Sequence, residues 1–291
     1  MLKKMVSVDF TGMIPPVKAE FESMFEEVVY YNDYPTDESV IIERVKDADV
    51  ILVSWNTKIT RNIIEACRNL KYVGMCCSLI DESSANVDIA ACKERNIPVL
   101  GVRDYGDEGV AEFIISELVR LTHGFGPYQW KEGVHELYGH KIGIIGMGAT
   151  GIMVAERAKA FGMEVYYYSR TKKELPFEYL PLEDLLKTVD ILSTHLPRHV
   201  KVLEREHFDM FGSGKILVNT SLGPTFDVDA FYDWMAIDNN FAIMDYEAMG
   251  AYRDDFTKLD RFLYSNKVSG WTEQAKERLS WKVLDNLKSI L

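Results

Sequence analysis

Short apolar runs rich in Val, Ile and Tyr alternate along the chain with stretches whose apolar residues recur every three or four positions. The runs at residues 50–53, 72–75 and 99–102 have the length of strands buried on both faces. Between them, residues 60–68 and 85–95 carry helical spacing, with Thr60 and Asn86 placed to cap those helices. The second half repeats the theme. Strands are predicted at 142–145, 165–168, 190–193, 216–219 and 242–244, and helices at 108–121 and 152–161. Asp107 and Glu108 open the first of those helices as N-cap and first-turn charge. Residues 273–291 form a last amphipathic helix with Leu279, Val283, Leu284, Leu287 and Ile290 on one face. Strand–helix alternation of this kind predicts parallel sheets with helices on both sides.

The length of 291 residues favours two domains over one. A faint internal echo agrees: an acid leads into an apolar strand both at residues 46–54 and at 188–194. The clearest boundary is residues 122–140, which hold Gly124, Gly126, Pro127, Gly133 and Gly139.

Charge then removes whole classes of partner. With 33 Lys+Arg against 45 Asp+Glu the formal charge is −12, which argues against general binding to nucleic acid or anionic membrane. No run approaches the ~18 apolar residues of a membrane span, and Ser7 and Asp9 interrupt any signal-like stretch after Lys3 and Lys4. Cys67, Cys76, Cys77 and Cys92 show neither a CxxC pair nor metal-ligand spacing, so reduced thiols in a cytoplasmic protein and no metal are expected.

The most informative segment is Lys141-Ile142-Gly143-Ile144-Ile145-Gly146-Met147-Gly148-Ala149-Thr150-Gly151. Glycines in a GxGxxG spacing are weak evidence alone, but here they follow a strand and open a helix. Gly146 permits the tight turn, Gly148 lets a pyrophosphate approach the backbone, and Gly151 lets helix and strand pack closely. Ala149, Thr150 and Gly151 would present the free N–H groups of the helix N-terminus to that anion. An NAD site usually has a carboxylate about 20 residues further on, to accept the ribose 2′-hydroxyl. Those positions read Ser169-Arg170-Thr171-Lys172-Lys173. A carboxylate would repel a 2′-phosphate, whereas Arg170 can fork onto one, so NADP(H) is favoured over NAD(H).

From about Leu70 to Ser280 the chain resembles the D-isomer-specific 2-hydroxyacid dehydrogenase family. The likeness rests on Ala90-Ala91-Cys92-Lys93-Glu94-Arg95-Asn96-Ile97-Pro98-Val99, on Val110-Ala111-Glu112, on Trp130 ahead of the glycine turn, and on His195-Leu196-Pro197. It continues through Leu217-Val218-Asn219-Thr220-Ser221-Leu222-Gly223, Asp245, and Val268-Ser269-Gly270-Trp271-Thr272. The tip Tyr168-Ser169-Arg170-Thr171 is similar to NADPH-preferring hydroxypyruvate and glyoxylate reductases of that family. The resemblance implies an α/β fold of two flavodoxin-like or Rossmann-like doubly wound parallel-sheet domains with a cleft between them. A substrate domain would span 1–102 plus 273–291, and a dinucleotide-binding domain 103–272. It also implies hydride transfer between NADPH and a 2-keto acid or related carbonyl, with His195, Leu196, Pro197, Thr220, Leu222 and Asp245 on the cofactor side. Cys77 and Ser78 fall in the substrate loop, which reads as extended and carries Asp81 and Glu82. The family's dimerisation arm would be short here, between Leu121 and Trp130, giving a weaker or altered homodimer.

The family's catalytic set is missing. Leu222 stands where the carboxylate-binding Arg belongs, and Lys267 stands where the proton-donating His belongs. Glu247 is the available acid after Asp245. Three readings follow. The chain is a reductase in which a buried Lys267 of lowered pKa, oriented by Glu247, donates the proton, with Arg253, Arg198 or Arg103 replacing the lost anion contact. Alternatively it reduces a non-acid carbonyl suited to Leu222, or it is a catalytically degenerate NADP-binding sensor or scaffold.

Overall fold

The computed structural model describes residues 2–290; Met1 and Leu291, at the ends of the predicted spans, lie outside them. Contacts divide the chain into two units, one formed by residues up to Tyr105 and from Thr272 onward, the other by Gly106–Trp271.

The first unit is a five-stranded parallel sheet built from β1 (Leu2–Ser7), β2 (Phe25–Tyr30), β3 (Val50–Val53), β4 (Tyr72–Met75) and β5 (Val99–Leu100), in the order β2-β1-β3-β4-β5. Between the strands run α1 (Pro15–Met24), α2 (Glu38–Val45), α3 (Arg61–Ala66) and α4 (Ile89–Glu94). Every position of β3 and β4 is buried, as continuous apolar runs require of strands covered on both faces. The helix Glu273–Ile290 returns to this unit and buries Leu279, Val283, Leu284 and Leu287.

Helix starts differ from expectation for a local reason. Asp88, and not Asn86, caps α4, accepting from Ala91 N at 2.8 Å. The Asn86 amide is occupied elsewhere, donating to the carbonyl oxygens of Ser54 (2.7 Å) and Thr57. Thr60 does sit at the N-cap of α3, but its hydroxyl donates to the Glu38 carboxylate and leaves the helix N–H groups alone. The predicted strand at 99–102 closes after two residues, because Val102 N turns to Cys77 O (2.9 Å).

The second unit opens with α5 (Asp107–Thr122) and continues through β6 (Lys141–Ile145), α6 (Ala149–Ala160), β7 (Glu164–Tyr168) and β8 (Glu178–Tyr179). Then come α7 (Leu182–Thr188), β9 (Ile191–Thr194), α8 (Arg205–Phe211), β10 (Ile216–Asn219), α9 (Val228–Met235), β11 (Phe241–Met244), α10 (Arg253–Phe256) and β12 (Phe262–Tyr264). The seven strands are parallel, in the order β12-β11-β10-β9-β6-β7-β8. Alternate residues of the central strands feed two cores. Ile142, Ile144, Ile191, Ile216, Val218 and Ile243 pack with α5 and α6, and Ile145, Leu192, Leu217 and Met244 pack with α7, α8 and α9. Asp107 is the first residue of α5 rather than its cap, and its carboxylate accepts from the Thr150 hydroxyl.

The strand order reverses between β6 and β9, which are hydrogen-bonded neighbours. The loops leaving their carboxyl ends diverge at that point, which is where open α/β sheets bind ligands.

Candidate functional site

The glycine turn leaves β6 at this switch point. Gly146 has φ +95°, and a Cβ there would stand 2.2 Å from His195 O. A Cβ on Gly151 would stand 2.0 Å from Gly146 O, so the first turn of α6 can close on the strand only if that residue is glycine. Gly148 is different. Its backbone is extended, with φ −79°, and a Cβ there would meet nothing within 4 Å. No neighbour among the described residues asks for glycine at 148, and the space beside it is open. Gly148 and Ala149 are exposed, and Gly148 is the N-cap of α6, so free N–H groups face that space.

The loop after β7 is tied to this turn. Gly146 N donates to Tyr168 O at 2.9 Å, and Lys173 Nζ donates to Met147 O at 2.6 Å. The Ser169 hydroxyl donates to Thr171 O (2.7 Å), which curls the tip. Arg170, Thr171 and Lys172 are exposed, and Arg170 makes no side-chain hydrogen bond or ion pair among the described residues.

Across the switch point, His195 N donates to Ile145 O (2.8 Å), and its ring nitrogen lies 3.0 Å from the Ser193 hydroxyl. Burial pushes the imidazole down to about 4, so His195 is neutral at physiological pH. Leu196 N donates to the Ser221 hydroxyl (3.0 Å), and Ser221 N donates to Asn219 Oδ1 (2.9 Å). Through these bonds the ends of β9 and β10 hold each other, with Leu196 and Pro197 half-buried beside them. In the same loop the Thr220 hydroxyl is buried and has no hydrogen-bond partner among the described residues, an uncommon condition that a bound polar group would relieve. Leu222 follows it and is 39% exposed.

Asp245 ends β11 and is buried. It accepts from Ser269 N (2.9 Å), Ser269 Oγ (2.7 Å) and Ala248 N (3.0 Å). Desolvation still outweighs those bonds and holds its carboxyl above the usual carboxylate range. Tyr246 N donates to Lys267 O at 3.2 Å, and Gly223 N to Glu247 O at 3.0 Å, so the loops after β10 and β11 and the segment after β12 are joined through their backbones.

Lys267 differs from expectation in one respect: it is exposed and not buried. The substitute arginines are occupied or unsupported. Arg253 lies 3.4 Å over the Tyr246 ring and donates to Tyr246 Oη (2.8 Å). Arg103, in the first unit, donates to Leu79 O (2.9 Å) and Ile80 O (2.6 Å), and the Arg198 side chain has no partner among the described residues.

The loop expected to meet substrate lies in the first unit, after β4. Ser78 is exposed, but Cys77 is buried with its thiol 3.8 Å from Asn86 Oδ1, so its side chain belongs to the core and is not presented to a ligand. Burial also pushes the Cys76 thiol well up. Asp81 caps the short 3₁₀ turn Glu82–Ser84, accepting from Ser84 N (3.0 Å), and Glu82 pairs with Lys93. Those acids serve their own loop. Among the described residues no group of three or more His, Cys, Asp or Glu could hold a metal ion. No described helix is long and apolar enough to cross a membrane.

Four residues that the sequence offered only as members of motifs have specific structural tasks: Asn219, Ser221 and Ser269 hold the strand-end loops, and Lys173 holds the turn.

A doubly wound parallel sheet with a glycine turn at its switch point defines the class as a nucleotide-binding α/β protein. Residues 119–255 match the sequence profile described as "D-isomer specific 2-hydroxyacid dehydrogenase, NAD binding domain". The chain is 29% identical to a hydroxypyruvate reductase of Thermotoga maritima, over 85% of this chain and 86% of that protein. It is also 29% identical to a glyoxylate reductase of Korarchaeum cryptofilum, over 92% and 87% respectively. In fold it is similar to an acyclic imino acid reductase in complex with NADPH and D-Arg, with a TM-score of 0.84 and 23% identity over 98% of this chain and 96% of that one. Residues 119–255 are thus similar to the NAD-binding domain of the D-isomer-specific 2-hydroxyacid dehydrogenases, and relatives matched over most of the chain are named as reductases and dehydrogenases.

Proposed function

We propose that the chain is an NADPH-dependent reductase of a 2-keto acid or related carbonyl compound, with the second unit as its cofactor domain and the first as its substrate domain. One observation carries the reading: the glycine turn opens into free space at Gly148 beside a tip, residues 169–173, that offers cations and hydroxyls and no carboxylate. The N–H groups of Gly148, Ala149 and Thr150 would hold the pyrophosphate, and Ser169, Arg170, Thr171 and Lys172 the 2′-phosphate. The Thr220 hydroxyl and the Asp245 carboxyl are fixed to receive the polar edge of the nicotinamide, with neutral His195, Leu196, Pro197 and Leu222 giving it apolar support. NADPH, when bound, supplies the hydride. Lys267 is the group in the donor's sequence position, and as an exposed ammonium it offers a proton that solvent can renew.

Loss of the Arg and His of the family would cost on the order of 10⁴-fold in rate with a keto acid. Apolar Leu222 therefore favours a carbonyl substrate with less anionic charge. The same replacements favour a second reading, an NADP-binding sensor or scaffold without turnover. NADPH oxidation with glyoxylate, hydroxypyruvate, phenylpyruvate and neutral ketones separates them. Turnover that Lys267→Ala removes, while NADPH affinity stays, supports the reductase. No oxidation with any carbonyl leaves the binding-only reading, and fast turnover of the acids overturns the weight given to Leu222.

The partner most in keeping with the surface is a second copy. Phe125 (72% exposed), Val134, Tyr138 and Phe161 are exposed in and near the linker. Phe125 and Phe161 border a groove of about 790 Å³ that Ile115, Val119, Arg120 and Arg157 also line. Apolar knob and groove on one face suit a two-fold contact. With the short arm the dimer is expected to be weak, so sedimentation showing a tight nanomolar dimer, or a monomer at high concentration, contradicts it.

A further inference from the structure

The four residues 170–173 read in the sequence as one basic cluster, yet the fold uses them differently. Lys173 is held at three points. Its backbone N–H donates to Tyr167 Oη (3.0 Å), its carbonyl accepts from the same hydroxyl (2.6 Å), and its ammonium donates to Met147 O (2.6 Å). Tyr167 is fully buried, so the anchor is part of the core. Met147 is the middle residue of the Gly146-Met147-Gly148 turn.

We propose that Lys173 is a positioning residue that sets the direction of the Gly148 N–H, and so prepares the turn for a pyrophosphate, without reading the 2′-phosphate. The inference rests on the assignment of this turn to NADP(H). Its physical basis is the planar trans peptide: the C=O of Met147 and the N–H of Gly148 belong to one rigid unit and point in opposite directions. An ammonium that draws the carbonyl to one side turns the N–H to the other. Gly148 N has no acceptor among the described residues, and a Cβ on Gly148 would meet only open space, so this donor is left for a ligand. A bond between an ammonium and a carbonyl is charge-assisted, and in a glycine-flanked turn it removes freedom that binding would otherwise have to remove.

A division of labour follows. Arg170 and Lys172 make no hydrogen bond or ion pair among the described residues and can discriminate between the cofactors; Lys172 only lies over the Tyr179 ring at 5.8 Å. Lys173 acts on the part that NADH and NADPH share. The experiment is to measure the dissociation constants of NADH and NADPH for the wild type, Lys173→Met, Lys173→Arg and Arg170→Ala. Lys173→Met keeps the stem and is expected to weaken both cofactors by the same factor, about tenfold. Lys173→Arg, which keeps a donor, is expected to recover both together, and Arg170→Ala to lower only the NADPH affinity. A Lys173→Met loss confined to NADPH would make Lys173 a 2′-phosphate ligand and overturn the proposal, as would no loss. If Lys173→Met weakens the protein as a whole, the Arg variant decides: joint recovery supports positioning, and a folded variant without recovery refutes it. Should the wild type bind the two cofactors equally, the NADPH assignment fails, while an equal loss in Lys173→Met still upholds the role given to Lys173.

Discussion

The two units solve the same geometrical problem in opposite ways. Each is a parallel sheet whose strand order reverses between two neighbours, β1 and β3 in the first unit and β6 and β9 in the second. Such reversals leave a crevice at the carboxyl ends of the strands. In the first unit the chain fills it. Asp9 is fully buried there and accepts from Ser54 N (2.9 Å) and Ser54 Oγ (2.6 Å), while the Ser7 hydroxyl bonds Asp9 O (3.1 Å) and lies 2.9 Å from Thr11 Oγ1. In the second unit the corresponding place holds a turn facing open space at Gly148, N–H groups at a helix start, and a buried Thr220 hydroxyl with no partner among the described residues. The fold supplies the crevice in both; since a buried Thr57 hydroxyl after β3 also lacks a partner among the described residues, what sets the second apart is the open turn at a helix start.

Four substitutions test that contrast, and the largest effect belongs to the turn. Gly148→Ala adds a methyl that touches no protein atom at a backbone conformation alanine accepts. Apo stability should hold or rise by about 0.4–1 kcal/mol. NADPH binding should fall on the order of 100-fold, because the methyl stands where a phosphate must approach. Calorimetric titration beside a melting curve reads both, and unchanged affinity in a stable variant would mean that the opening holds no phosphate. Gly151→Ala is the companion case, expected to lose stability and binding together, since its Cβ would stand 2.0 Å from Gly146 O.

The next effect lies in the filled crevice. Asp9→Ala leaves the Ser54 N–H and hydroxyl without their acceptor and should destabilise the chain by about 2 kcal/mol in urea unfolding. The cost of burying the carboxylate, which holds its pKa above the usual range, offsets part of what the bonds contribute. NADPH affinity should not change; if it falls as far as stability does, the two crevices are not independent. The smallest effect is that of Thr220→Val. Removing an unpaired buried hydroxyl should leave the apo protein equally stable or more so by up to about 1 kcal/mol, and weaken NADPH about fivefold. A variant that melts lower while binding NADPH normally would show that the hydroxyl serves the fold.

The parts of this arrangement that were legible in the sequence are those set by neighbours along the chain. Fully apolar strands such as β3 and β11 announce themselves, and the glycine turn is one contiguous segment. The strands β1 and β2 were not foreseen, since Lys3-Lys4 at the start of β1 and Glu26-Glu27 in the edge strand β2 interrupt their apolar pattern. The caps went astray where a distant backbone competed: Asn86 turned to Ser54 and Thr57, some thirty residues away. Lys173 bonding to Met147 is a contact of the same kind, decided by the folding of β7 against β6. Lys267 illustrates the remaining gap, because burial is a property of the packed molecule and no motif encodes it.

The return of the helix Glu273–Ile290 to the first unit fixes an order of events during synthesis. By the time Tyr105 has been made, four-fifths of that unit's residues exist, but the face that Leu279, Val283, Leu284 and Leu287 will cover has no partner. The whole second unit must be translated first, which at about 5–20 residues per second takes roughly 8–33 s. The cofactor turn can therefore be complete while the first sheet still waits for its last helix. Until Glu273–Ile290 has been made, a finished second unit can stand beside a first unit that is still open, and β4 is exposed to stray contacts during that interval.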